Sequence, residues 1–243
     1  MDEELKAFRE RSLGKIKYIY VDARYEKVRH GGNVRDLAIL SAIGVNEKGK
    51  REVLGVSVSL SEAEVHWRRF FEDLQKRGMN GLELLISDDH SGLGSARRAV
   101  FPSVPWQRCT FHMAQNAQAY APKGEMKEEL GQVMRDIFNC PNLELAQECK
   151  KRAVEKYAKA APKFSEWLEN NVEEGLTFLE FPQEHRKKIR TSNAMERLNQ
   201  EIKRRTRVVR VFSNEESCER LVTAILQEMH EEWVTGKVYL NVD

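Results

Sequence analysis

The chain has 243 residues, 41% apolar and 32% charged, with 14 Gly and 6 Pro. That length suits one or two domains, and the mixture excludes collagen, coiled coil and wholesale disorder. No apolar stretch approaches the ~18 residues that span a bilayer and no basic-then-apolar leader opens the chain, so a soluble intracellular protein is expected.

Lys17-Tyr-Ile-Tyr-Val-Asp22 is rich in β-branched and aromatic residues and predicts a strand ending at Asp22. Gly31-Gly-Asn33 is a turn. Asp36 to Val45 barely alternates, which predicts a second strand buried on both faces. After a turn at Asn46–Gly49, Val53 to Leu60 predicts a third strand, so the first three form an antiparallel meander. Ser61-Glu-Ala-Glu64 has the spacing of a capping box, and Ala63, Trp67, Phe70, Phe71 and Leu74 then repeat at helical spacing. Leu82 to Ser87 predicts a fourth strand, followed by a short helix through Ala96 and Val100. Trp106 to Phe111 predicts a fifth, with a helix from about His112. A mixed five-stranded sheet flanked by helices buries these faces.

Between about 113 and 180 the strand signals stop. Met126, Leu130, Val133, Met134, Ile137 and Phe138 form one helical stripe. A second helix is expected from Leu143 to Tyr157 and a third around Phe164, Trp167 and Leu168. Pro122, Pro141, Pro162 and Pro182 punctuate the segment at expected helix boundaries.

Charge is unevenly spread. Residues 185–210 hold ten Lys/Arg against two Glu, while the whole chain is only +2. Such a segment is either a solvated basic helix or a site for a polyanion. Within it, Met195, Leu198 and Ile202 fall on one helical face and Glu196, Asn199, Gln200 and Lys203 on the other. Arg204, Arg205, Arg207 and Arg210 extend a cationic surface suited to a phosphate backbone. Glu196 is either the reciprocal partner of an Asn193 cap or a carboxylate facing a cleft.

Asp22 and Asp88 end strands expected to be neighbours. Two close carboxylates repel unless a cation shares the site, and hard divalent ions with oxygen ligands meet that need. Alternatively, Asp88 and Asp89 cap the following helix. Cys109-Thr-Phe-His112 has a metal-ligand spacing but only two ligands. A buried thiol and a hydrogen-bonded His at a strand–helix junction is the expected arrangement. The remaining cysteines, Cys140, Cys149 and Cys218, complete no zinc set and no disulfide framework.

Four segments then stand in order: Tyr20-Val-Asp-Ala-Arg-Tyr-Glu-Lys-Val-Arg29, Ser87-Asp-Asp-His-Ser-Gly-Leu93, Trp106-Gln-Arg-Cys-Thr-Phe-His112, and Ser192-Asn-Ala-Met-Glu-Arg-Leu-Asn-Gln-Glu-Ile-Lys-Arg-Arg-Thr206. Together they resemble the Mutator-type transposases of bacterial insertion sequences over about residues 10–235. The resemblance implies a ribonuclease-H-like catalytic core at 10–112 and 185–235, with an all-α insertion at 113–184 between the second Asp and the Glu. It implies a DDE triad of Asp22, Asp88 and Glu196 that holds two Mg²⁺ (or Mn²⁺) for DNA strand cleavage and strand transfer. Cys109 and His112 would be structural residues near that site. Asn199, Lys203, Arg204, Arg205 and Arg207 would contact DNA.

Transposon ends and target DNA are the partners the resemblance implies, with a homo-oligomer as the active form. The resemblance also implies no membrane partner and action at the nucleoid in a bacterial cytoplasm. Met1 begins just before the first strand, so the family's N-terminal end-binding region is expected to be absent. That makes a truncated, catalytically idle remnant, acting as a DNA-binding or dimerising inhibitor, the alternative; a generic nuclease of the same fold is a third. Asp89 and Phe212-Ser-Asn214 depart from the family pattern, and the ending around Gly236–Leu240 is less basic than usual.

Overall fold

The computed structural model describes residues 2–242. Its elements are α1 (Asp2–Glu10), β1 (Ile16–His30), β2 (Asn33–Asn46), β3 (Arg51–Ser59), α2 (Glu64–Lys76), β4 (Leu84–Ser87), α3 (Ser91–Val100) and β5 (Trp106–Arg108). Helices α4 (Thr110–Gln118), α5 (Met126–Phe138), α6 (Leu143–Tyr157) and α7 (Pro162–Asn171) follow, then two 3₁₀ turns (Val172–Gly175 and Thr177–Glu180). Helices α8 (Gln183–Ile189), α9 (Asn193–Thr206) and α10 (Glu215–Thr235) complete the chain.

The architecture is α/β. Five strands form a mixed sheet in the order β3-β2-β1-β4-β5, flanked by helices. The expected meander is present: β1 pairs antiparallel with β2, and β2 with β3. Its first turn closes on Gly31 and Gly32, both at positive φ (56° and 81°), where a side chain would be strained. Leu37 to Val45 of β2 is buried without interruption, as its lack of alternation predicts.

The chain divides into two compact units. The first comprises the residues up to Leu85, Asp89–Pro105 and those from Ser192 onward; the second comprises Ile86–Asp88 and Trp106–Thr191.

In the first unit the core is built on the meander. Trp67, Phe71 and Leu74 of α2 are fully buried, and α10 packs on β3 through its apolar stripe, which includes Cys218, Val222, Ile225, Leu226, Met229 and Trp233. Helix α9 buries Met195, Leu198 and Ile202, the face that its periodicity predicts.

The second unit is helical beyond β5. Leu130, Met134 and Ile137 of α5 are buried, as are Tyr157 of α6 and Phe164 and Leu168 of α7. Gln107 is fully buried there, and a buried amide needs partners. Its Nε2 donates to the Gly175 carbonyl at 2.9 Å, and its Oε1 accepts the Phe178 N–H at 2.7 Å. That one side chain therefore ties β5 to both 3₁₀ turns.

Several local expectations are corrected. Strand β1 does not end at Asp22 but runs on to His30, because Ala23–His30 continues to pair with Asn33–Leu40 of β2. Strand β5 stops at Arg108, and α4 starts at Thr110 after Cys109. Helix α2 starts at Glu64 with Ala63 at its N-cap, so Ser61 and Glu64 form no capping box. Ser61 Oγ instead accepts the Ala63 N–H at 3.3 Å, a local turn that competes with capping. Neither Asp88 nor Asp89 caps α3, whose N-cap is His90. Helices α1 and α10 lie outside the predicted elements.

Candidate functional site

The first unit presents Asp22 and the polar face of α9. Asp22 sits inside β1, where alternation puts Asp22, Arg24 and Glu26 on one face of the sheet. Its Oδ1 accepts the Ala23 N–H at 2.8 Å, and its Oδ2 accepts from Asn199 Nδ2 of α9 at 2.6 Å. Arg24 donates to the Asn199 carbonyl and, at 2.6 Å, to Glu26. Glu26 in turn accepts from the Thr206 hydroxyl at 2.8 Å. A polar ladder thus fixes the register of α9 on β1. Arg24, Glu26 and Thr206 are members of it that sequence reasoning misses, although the period-2 run Asp22-Arg24-Glu26 is an available signal.

Glu196 lies three residues before Asn199, so the two share a helical face. The expected Asn193 capping box is absent. Ser192 is the N-cap residue, its carbonyl accepting from the amides of Met195 and Glu196, and Asn193 is already helical. The Glu196 carboxylate is therefore not engaged in capping. It is half-buried and has no hydrogen bond or ion pair among the described residues. The Asn199 Oδ1 is buried and likewise receives no donor. A buried acceptor without a donor is costly, and the Asn199 Oδ1 beside Asp22 fits a cation or a cation-bound water.

Further along α9 the basic residues divide. Arg204 and Arg205 both pair with Glu201, at 2.7 and 2.9 Å, and Arg205 also reaches Glu228 of α10 at 2.5 Å. The bonds from Arg204 and Arg205 hold the Glu201 carboxyl down at about 2. Lys203 and Arg207, by contrast, are exposed and have no carboxylate partner among the described residues. The expected cationic surface is concentrated on those two and on Arg210, which is likewise exposed and has no carboxylate partner among the described residues.

The second unit presents Asp88, Cys109 and His112. The Asp88 carboxylate pairs with Nδ1 of His112 on α4. Cys109 is fully buried, with its N–H donating to the Ser87 carbonyl at 2.8 Å and its carbonyl accepting from Met113. One donor atom from each of the three residues lies within 4.8 Å of the other two. Hydrogen bonds to Asp88 first and the Cys109 thiol second push the His112 imidazole up to about 10, against the opposing effect of burial. The expected buried thiol and bonded His are present, and Asp88 is a third member that the Cys-x-x-His spacing alone does not reveal. A thiolate, an imidazole and a carboxylate form a donor set for a borderline metal such as Zn²⁺, while the oxygens around Asp22 suit a hard ion.

No helix among the described residues is long and apolar enough to cross a membrane. The sequence pattern of the Mutator family of transposases matches residues 1–236. The chain is 52% identical, over 241 residues, to the transposase of insertion sequence element IS406 from Burkholderia multivorans, covering 99% of this chain and 62% of that protein. It is 41% identical over 244 residues to the transposase of ISRM5 from Rhizobium meliloti, covering 100% and 61% respectively. To the transposase of IS1081 from Mycobacterium tuberculosis it is 37% identical over 245 residues, covering 100% and 59%. The chain thus spans about three fifths of the length of these curated relatives.

Proposed function

The chain belongs to the Mutator family of transposases, and from that membership we propose that it is the catalytic core of a DNA transposase whose metal site joins Asp22, Asp88 and Glu196. The proposed core is ribonuclease-H-like, with residues 113–184 as its all-α insertion. The reaction class is phosphodiester exchange on DNA: a water or 3′-hydroxyl oxygen attacks phosphorus in line, the P–O3′ bond breaks, and O3′ leaves.

The observation that carries this reading is the oxygen cluster on β1 and α9. The Asp22 carboxylate is held by Asn199, whose own Oδ1 lacks a donor, and the unpartnered Glu196 carboxylate is one turn earlier on the same face. Two further facts support it. Strands β1 and β4 are neighbours in the sheet, and Asp88 directly follows β4. Two Mg²⁺ or Mn²⁺ ions bound by the three carboxylates would activate the attacking oxygen and neutralise charge on the leaving one.

The chain's own residues do the rest. Asn199 orients Asp22 through a neutral hydrogen bond, and His112 orients Asp88 through a close imidazole–carboxylate contact. Lys203 and Arg207 neutralise backbone phosphates, with Arg204 and Arg205 contributing less because Glu201 and Glu228 occupy them. The proposed partners are transposon ends and target DNA, with a homo-oligomer as the acting form at the bacterial nucleoid. Cleavage of an end-bearing duplex with excess Mn²⁺ tests the assignment: Asp22→Ala, Asp88→Ala and Glu196→Ala should each abolish it in a folded protein. Wild-type cleavage by any one of them removes that residue from the site.

A further inference from the structure

Within the first unit, α1, α2 and β3 enclose a cavity of about 440 Å³ lined by none of the carboxylates proposed to hold metal. Its walls are strongly basic. Arg11 is half-buried, its guanidinium stacked 4.1 Å from the Phe8 ring centroid. It donates only to two backbone carbonyls, those of Phe8 and Val53, so two of its five donors are used and no carboxylate pairs with it among the described residues. Arg69 of α2 also lines the cavity and has no carboxylate partner among those residues.

The other charges largely cancel in place. Arg77 pairs with Asp73 at 3.0 Å, Arg9 with Glu219 at 2.6 Å, and Lys6 lies 4.0 Å from Glu10. Two guanidinium groups, Arg69 and an Arg11 only partly offset by the charge of Glu52, therefore remain without an ion-pair partner among the described residues around one concavity, where Ser57 supplies a hydroxyl. Burial and the nearby Arg77 push the Arg11 guanidinium down to about 10. Burial also lowers Arg77, against the opposing effect of Asp73. An anion in the cavity would relieve both effects. A tetrahedral phosphate suits it best, because guanidinium groups offer planar, paired donors to such oxygens.

We propose that the cavity walled by Arg11, Arg69 and Arg77 is a phosphate-binding site, and that the phosphate it takes belongs to a DNA backbone. The second half of this rests on the transposase reading; the first does not. The cavity would give the core a DNA contact independent of α9.

Two measurements on the full chain test it. In the first, inorganic phosphate is titrated against chloride at matched ionic strength while the thermal midpoint is followed. Wild type should be stabilised by phosphate, and the surface variant Arg69→Ala should lose that response while folding normally. In the second, binding of a 30-base-pair duplex is measured across a KCl series. Arg69→Ala should lower the slope of log K against log salt by about 1, one phosphate contact fewer. A phosphate response lost in Arg69→Ala with an unchanged DNA slope would overturn the DNA assignment and give the site to a free phosphate compound. No phosphate response in wild type together with an unchanged slope would overturn the site itself. A wild-type chain that fails to bind DNA would instead contradict the transposase reading, and the phosphate titration would still decide the cavity.

Discussion

Asp22 and Asp88 meet different kinds of partner. In the first unit the donors to Asp22 include two neutral groups, its neighbour's backbone N–H and the Asn199 amide. In the second unit Asp88 pairs with an ionisable group, the His112 imidazole, which Asp88 first and the buried Cys109 second hold above its ordinary range. A neutral donor orients a carboxylate without neutralising it, whereas an imidazolium competes for the same lone pairs as a metal. Asp22 is thus the proposed anchor for a hard ion. In the proposed site Asp88 would share its charge between His112 and that ion.

The largest test of this contrast removes the ligands. Asp22→Asn and Glu196→Gln should abolish Mn²⁺-dependent cleavage, and Asp88→Asn should do the same if Asp88 serves the same ion. A smaller effect is expected from the residues behind the ligands. Asn199→Ala and His112→Ala should each cost about 10–100-fold in Mn²⁺ affinity, read by calorimetry. His112→Gln sharpens the comparison, since it keeps a neutral donor without a positive charge. If Asp88 needs only orientation, this variant should bind Mn²⁺ at least as well as wild type. If it binds like His112→Ala, the charge itself is required.

Smaller again are effects on DNA. Lys203→Ala and Arg207→Ala should each flatten the salt dependence of duplex binding by about 1 in log–log slope. Arg204→Ala should change it less, because Glu201 engages that guanidinium. Equal effects at all three positions would mean that DNA strips the Glu201 pairs on binding.

The smallest effect concerns pH, away from the proposed metal site. His230 of α10 packs edge-on against Phe8, at 5.3 Å between ring centroids. Burial, aided by Arg11, pushes it down to about 4. A histidine lowered on folding adds stability above its unfolded value near 6.5, and that stability is lost as pH falls toward 4. His230→Phe should therefore shrink the drop in thermal midpoint between pH 6.5 and 4. An unchanged drop would place the acid sensitivity elsewhere.

Much of the fold is legible in the residues, for identifiable reasons. Paired glycines at positive φ and an unbroken apolar run dictate the β1–β2–β3 meander, and the 3.6-residue stripe of α9 predicts its buried face. Helix starts are less legible. Ser61 and Asn193 carry capping chemistry, yet Ala63 and Ser192 occupy the caps, since several neighbouring polar residues compete for the same amides. The far half of β1 is hidden because Arg24, Glu26 and Lys27 look like loop, whereas Arg24 and Glu26 hold α9 through Asn199 and Thr206.

At the site, the Cys109-x-x-His112 spacing is local and readable. The Asn199–Asp22 bond joins residues 177 positions apart, and Asp88 joins Cys109 and His112 across a strand and a helix. Such meetings depend on tertiary packing. The pairing of Arg204 and Arg205 with Glu201 and Glu228 is intermediate, with one partner at helical spacing and the other on α10.

The proposed metal site joins Asp22, Asp88 and Glu196. Crystals soaked in Mn²⁺, with anomalous scattering recorded at the manganese edge, test it without DNA. The expected result is an ion ligated by Asp22 and Asp88, with Glu196 in its coordination sphere or one water away. Manganese bound by Asp88, Cys109 and His112 without Asp22, or Asp22 and Asp88 pointing to separate solvent regions, would contradict it.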